Sequence, residues 1–242
     1  LKCGIQSIDS LIDKGMLDNL ETLELSYDYI LITPAFKKLK NLRKLYYSFN
    51  KIKSIFVLTN LPDNLTHLTL ETEYLKNIIN TIDINLKYLH IICKYGTAYM
   101  FYNIPPNLEY FDIEIEHIIE LESGVKIDLN FLPDSLTFFR FNQKNDHHSL
   151  AIYEIKSLPK NLKRLYLTVK NYGYDTLILP TGLKYFYLRT DNEDSLFKKW
   201  DINKHRDYDP VLEHVIYKVN KINVNLPKNI KFLSILTMTV ML

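Results

Sequence analysis

The stretch LPDNLTHLTL (61–70) recurs along the chain as LPDSLTFFRF (132–141), LPKNLKRLYL (158–167), LPTGLKYFYL (179–188) and LPKNIKFLSI (226–235). A looser copy reads IPPNLEYFDI (104–113), and copies without proline read LDNLETLEL (17–25), LKNLRKLYY (39–47) and INLKYLHI (84–91). The first apolar residue of each L-x-x-L-x-L core is Leu20, Leu42, Leu65, Leu86, Leu108, Leu136, Leu162, Leu183 or Ile230, and steps up to Leu183 are 22, 23, 21, 22, 28, 26 and 21 residues. The gap of 47 to Ile230 leaves room for one more, degenerate turn starting at Leu212 (LEHVIY). A fixed period in the low twenties is the mark of a solenoid. Each core reads as a short parallel strand whose fourth and sixth residues point inward by the two-residue alternation, while the second, third and fifth point out. One coil cannot bury its apolar face alone, so stacking on its neighbours must create the core. At about 4.8 Å per strand, nine or ten coils make a stack on the order of 45 Å long.

The residues before each core are turn formers. Seven of the nine prolines stand two to four residues before an anchor, where a residue without an N–H suits a turn and not a ladder. The Asp-Asn, Asp-Ser, Lys-Asn and Thr-Gly pairs that follow favour turns by side-chain bonding to backbone or by tolerance of positive φ.

These cores resemble the leucine-rich repeat superfamily over residues 17–236, and LPDNLTHLTL and LPDSLTFFRF look like the FNIP-type repeats of amoebae and of giant DNA viruses of amoebae. The resemblance implies an α/β-type solenoid, a leucine-rich-repeat horseshoe with parallel strands on the concave face and a mostly irregular or 3-10 convex side. It also implies a protein-binding scaffold in cytoplasm or virion. The superfamily's ladder asparagine, three residues past the third apolar core residue, is present here only as Asn50.

Residues 1–16 form a separate cap-like segment, in which Ile5, Ile8, Leu11 and Ile12 have the spacing of a short amphipathic helix. Residues 17–242 are the solenoid, with longer insertions at 142–157 and 190–211 that read as surface loops. The connections with Ile52, Ile55 and Leu58, and with Leu75, Ile78 and Ile79, read as irregular or 3-10 turns. The opening Leu without Met suggests processing or a fragment, and the apolar end from Ile230 to Leu242 suggests an array that continues or an edge covered by a partner or a second copy.

A net charge of +2 gives no general argument for nucleic acid. Two cysteines, Cys3 and Cys93, cannot build cysteine-rich caps, which points to a reducing compartment. Asn64-Leu65-Thr66 matches the glycosylation pattern, but the repeat itself generates that triplet. No phosphate loop, H-E-x-x-H or Cys-x-x-Cys is present, the His147-His148 pair lacks companion ligands, and the Asp112 and Glu114 pair reads as exposed acids on one strand face. Neither catalysis nor a metal, cofactor or small-molecule substrate is expected.

What remains is the outward face. Its third-position column reads Thr22, Lys44, His67, Tyr88, Tyr110, Phe138, Arg164, Tyr185 and Phe232; the fifth reads Glu24, Tyr46, Thr69, His90, Asp112, Arg140, Tyr166, Tyr187 and Ser234. Tyr, Phe and Arg are interface anchors, although aromatic residues also support parallel strands by packing on each other. Early and middle coils carry Glu21, Glu24, Glu71, Glu109, Asp112 and Glu114; late coils carry Arg140, Lys163, Arg164, Lys184 and Arg189. The expected partner site is therefore Tyr46, Tyr88, His90, Tyr110, Asp112, Phe138, Arg140, Arg164, Tyr166, Tyr185, Tyr187 and Arg189. Its expected occupant is another protein, with copies of the chain as an alternative. A structural assembly component and the recognition arm of a ubiquitin ligase are the rival roles.

Overall fold

Each described proline-bearing turn closes on itself. The amides of Leu65, Leu108, Leu136, Leu162 and Leu183 donate to the carbonyls of Pro62, Pro105, Pro133, Pro159 and Pro180 at 3.0–3.2 Å. Proline supplies an acceptor here and has no amide to leave unsatisfied. The structure, a computed structural model, describes residues 5–29, 32–51, 58, 60–75, 82, 85–96, 104–118, 126–128, 132–144, 152–154, 158–168, 179–189, 214–218 and 232–236.

After the turn the chain enters a strand. The strands are β1 (Thr22–Tyr29), β2 (Lys44–Lys51), β3 (His67–Leu75), β4 (Tyr88–Gly96), β5 (Tyr110–Ile118), β6 (Lys126–Asp128), β7 (Phe138–Gln143), β8 (Ile152–Glu154), β9 (Arg164–Thr168), β10 (Tyr185–Arg189), β11 (His214–Lys218) and β12 (Phe232–Leu236). Ten of them form one sheet in the order β1-β2-β3-β4-β5-β7-β9-β10-β11-β12, and every pairing is parallel. The chain is thus a parallel-stranded solenoid, with little helix among the described residues.

The register is the one the repeat dictates. Thr22 stands beside Lys44, and the row continues through His67, Tyr88, Tyr110, Phe138, Arg164, Tyr185, His214 and Phe232. The degenerate coil is real: β11 begins two residues after Leu212 and lies between β10 and β12. The carbonyl of the second core residue fixes the register by accepting two amides from the next coil. Thr137 O, for example, takes Lys163 N and Arg164 N at 2.9 and 3.1 Å, and Lys163 O takes Lys184 N and Tyr185 N at the same distances.

Inward residues stack into the core. Leu65, Leu68 and Leu70 of one coil and Leu162, Leu165 and Leu167 of another are fully buried, and Phe111, Phe139 and Phe141 fill the middle coils. The first helix, α1 (Ile5–Asp13), adds Ile8 and Ile12 to the same core. It is tied to the 3-10 turn Pro34–Lys38 by Thr33 Oγ1 donating to Asp9 Oδ1 at 2.8 Å and by a Lys38–Asp13 ion pair of 2.8 Å. Ile52, Ile55, Ile78 and Ile79, and the insertion 190–211, lie outside the described residues, as does the end of the chain past Leu236. Among the described residues no helix is long and apolar enough to cross a membrane.

Two features depart from the expected loops and turns. The coils of 28 and 26 residues each contribute a short strand, and β6 and β8 pair in parallel as a second sheet. The insertion 142–157 is therefore not only a loop: it carries β8 (Ile152–Glu154). The second departure concerns the residue before the anchor. Asn41, Asn64 and Asn161 donate their side-chain amides to the carbonyls of Asp18, Lys40 and Asp134 in the preceding coil at 2.8, 2.9 and 2.9 Å, and Ser135 Oγ bonds Leu108 O at 2.7 Å. These residues therefore form an inter-coil ladder and are not merely local turn formers. Gly182 occupies the same place without a side chain; among the described glycines only Gly15 has positive φ, so φ does not demand glycine at 182.

Two stability outcomes follow. Leu165→Ala, at a fully buried site, should cost about 2–5 kcal/mol. Gly182→Asn should instead gain about 1 kcal/mol, because the new side chain starts 3.9 Å from Lys160 O with nothing closer and can extend the ladder. Denaturant unfolding of both variants against the parent measures each.

Candidate functional site

In-register parallel strands place each outward side chain beside its equivalent in the next coil. The third column accordingly becomes a ring stack. His67 and Tyr88 lie 5.3 Å apart, Tyr88 and Tyr110 4.3 Å, and Tyr110 and Phe138 4.0 Å with planes 6° apart. At β9 the third position is Arg164, and the aromatic path steps to the fifth column: Phe138 to Tyr166 is 5.6 Å and Tyr166 to Tyr187 6.2 Å. Arg164 lies over the Tyr185 ring at 5.1 Å. The result is one diagonal aromatic strip across β3, β4, β5, β7, β9 and β10.

Beside the strip lies a charge network centred on Asp112. Arg140 Nε donates to Asp112 Oδ1 at 2.6 Å, Arg140 Nη2 to Glu114 Oε1 at 2.7 Å, and Lys144 Nζ pairs with Glu114 Oε2 at 2.6 Å. Tyr110 Oη donates to Asp112 Oδ2 at 3.3 Å. The reading of Asp112 as an exposed acid is corrected here: only 1 % of it is exposed. A carboxylate so buried is held because Arg140, one coil away, neutralises it. His90 Nε2 stands 3.9 Å from Asp112 Oδ2 and 4.0 Å from Glu114 Oε1 and makes no hydrogen bond. His90, Asp112 and Glu114 could offer a metal three ligand atoms within 4.8 Å of one another, but Arg140 and Lys144 already engage both carboxylates. A shallow cavity of about 440 Å³ opens next to this network, lined by Glu71, Glu73, Ile92, Lys94, Glu116 and Lys144 among others.

These surroundings shift several groups. A hydrogen bond to Glu71, then burial and the charges of Glu71 and Glu24, push the Tyr46 phenol up to about 12. Burial and the Asp112 charge raise Tyr110 further, so both phenols stay protonated and can donate. Burial and the Lys44 charge lower His67. Hydrogen bonding to Asp112 raises Arg140 against the opposing effect of its burial. Burial pushes the free thiol of Cys93 up to about 12, consistent with an inert cysteine. For Glu114, burial acts upward, but the Lys144 hydrogen bond and the charges of Lys144, Arg140 and His90 outweigh it and hold the carboxyl below its ordinary range.

Of the expected site residues, the structure brings Tyr88, Tyr110, Phe138, Tyr166 and Tyr187 into the strip, Arg164 onto Tyr185, and His90, Asp112 and Arg140 into the network. Tyr46 bonds Glu71 apart from these, and Arg189 is placed only by its backbone register beside Thr168 and Lys218. The sequence reading left out His67, Glu114 and Lys144 as site members. Extending the alternation two and four residues past the fifth core position, where the strands run on, finds the last two. The same extension at the tenth position brings Tyr74, Tyr95 and His117 into a second stack at 4.9 and 5.4 Å, on the phase of the strand opposite to the strip. His147 and His148 lie outside the described residues. Compared with known proteins, the chain matches no family model and no curated sequence.

The depressed Glu114 carboxyl sets a pH dependence. Its folded value lies below the unfolded one, so its stabilisation is complete above the unfolded value and is lost as pH falls through the folded one. Lys144→Ala, at a half-exposed pair, should cost about 1 kcal/mol or less at neutral pH. That deficit should persist through the ordinary carboxylate range and vanish only once pH falls below the folded Glu114 value, as read by denaturant unfolding across a pH series.

Proposed function

We propose that the chain is a leucine-rich repeat horseshoe, of the kind FNIP-type repeats build, that binds another protein on its open, concave face and catalyses no reaction. The observation that carries this reading is the diagonal strip of half-buried rings from His67 to Tyr187. Rings already stacked on one another lose little further freedom on binding, and each keeps an outward edge for contact. The acidic middle coils and the basic late coils would orient a partner of opposite polarity and speed its encounter. The paucity of cysteine favours a reducing setting, cytoplasm or the interior of a virion, as the place where this happens.

The test is to isolate the protein from its source with whatever accompanies it, in parallel with a Tyr166→Ala, Tyr185→Ala, Tyr187→Ala triple variant. We expect a stoichiometric, different protein with the parent. The triple variant should keep the circular dichroism of the parent and lose that protein. Retention by the triple variant would move the site away from the strip, and recovery of copies of the chain alone would favour a self-assembling structural component.

A further inference from the structure

The second-position column crosses the sheet at the edge where strands begin. Its described members are Glu21, Arg43, Thr66, Lys87, Glu109, Thr137, Lys163 and Lys184. In an in-register stack, neighbours in a column are about 4.8 Å apart at the backbone, so like charges side by side repel. Through β7 the column avoids this: Glu21 precedes Arg43, threonines separate other charges, and Lys87 pairs with Glu109 at 2.9 Å. Between β9 and β10 the column places two lysines side by side. Lys163 and Lys184 are adjacent, linked by Lys184 N donating to Lys163 O at 2.9 Å.

A cavity of about 300 Å³ opens at this place, lined by Ser135, Thr137, Lys160, Asn161, Lys163 and Gly182. It lies where the inter-coil ladder stops. In the two coils before it, Asn161 and Ser135 reach the backbone of the coil behind, whereas Gly182 has nothing to extend. The hydroxyls of Ser135 and Thr137 already donate to the carbonyls of Leu108 and Glu109 at 2.7 and 3.0 Å. The remaining donors are cationic or amide: Lys163, the second N–H of Asn161, and Lys160, whose 3.6 Å pairing with Asp134 is largely in solvent and weak. Two ammonium groups and an amide around an open space form a receptor for a carboxylate. From the same edge Arg164 leads onto the face, over the Tyr185 ring.

We infer that this cavity is a carboxylate-recognising anchor, and that the captured protein docks there through an acidic peptide segment that continues over Arg164 onto the tyrosines. This rests on the capture reading above and gives the partner its chemistry. A peptide suits the site better than a nucleic acid. A single carboxylate can sit at Lys163, whereas a continuous phosphate track would have to pass Asp134 and Glu109, which adjoin the cavity.

Fluorescence anisotropy tests this with the whole chain and three probes: a labelled peptide of alternating Glu and Ser, the same peptide with Gln for Glu, and a single-stranded oligothymidylate. The Glu peptide should bind, more weakly as salt is raised, with the Gln peptide about tenfold weaker or worse. Gly182→Asn and Lys163→Gln should each weaken the Glu peptide about tenfold. Because Gly182→Asn is expected to stabilise the fold, its loss of binding cannot be read as unfolding. Equal affinity for Glu and Gln peptides, full binding by Gly182→Asn, or tighter binding of the oligothymidylate would overturn the assignment. If Gly182→Asn keeps the natural partner while the tyrosine triple variant loses it, the anchor falls and face capture stands. If the triple variant keeps the partner while Gly182→Asn loses it, the anchor stands and the aromatic face falls.

Discussion

Every feature of this molecule depends on identical strand positions lying directly on one another. A parallel, unshifted ladder leaves each side chain one strand spacing from its equivalent before and behind. For apolar residues that is a benefit, since leucine on leucine closes the core. For rings it makes stacks. For charges it is a hazard, and the sequence answers by alternating sign: the fifth column runs His90, Asp112, Arg140, and two pairs further along the strands Glu73, Lys94, Glu116 and Lys144 follow one another. The buried Asp112 is tolerable only because its column neighbour is Arg140 at 2.6 Å.

This constraint explains what could be read from the residues alone. The anchors, the inward and outward phases, the register of the columns and even the degenerate coil at Leu212 follow from counting, because counting is what a one-dimensional stack obeys. The aromatic strip was legible as two columns, but its crossing from third to fifth position depends on Arg164 displacing a ring at β9. The charge network is not legible as a network from the cores alone, because β3, β4 and β5 run nine residues, past the end of each core. An asparagine ladder is expected after the strand and lies instead before the anchor, at Asn41, Asn64 and Asn161, of which the turn pairs after proline mark only Asn64 and Asn161. The β6–β8 sheet had no repeat to announce it, since each strand lies in the surplus of a single coil.

The open face thus combines two kinds of order. Its rings are held by each other and its buried acid by a guanidinium, so the surface is already shaped in the chain alone. A surface of that kind can discriminate by shape and sign together, because neither the strip nor the network has to be assembled at the cost of binding energy.

The small β6–β8 sheet has a mechanical consequence. In an array whose coils touch only their immediate neighbours, a pull at either end strips coils one at a time, each giving way as its single ladder opens. The coils that hold β6 and β8 are joined twice, once through β5 and β7 and again through Lys126–Asp128 against Ile152–Glu154. Tension arriving at this pair must break two ladders together, so the middle of the molecule is a clamp where stepwise peeling from either end would stall.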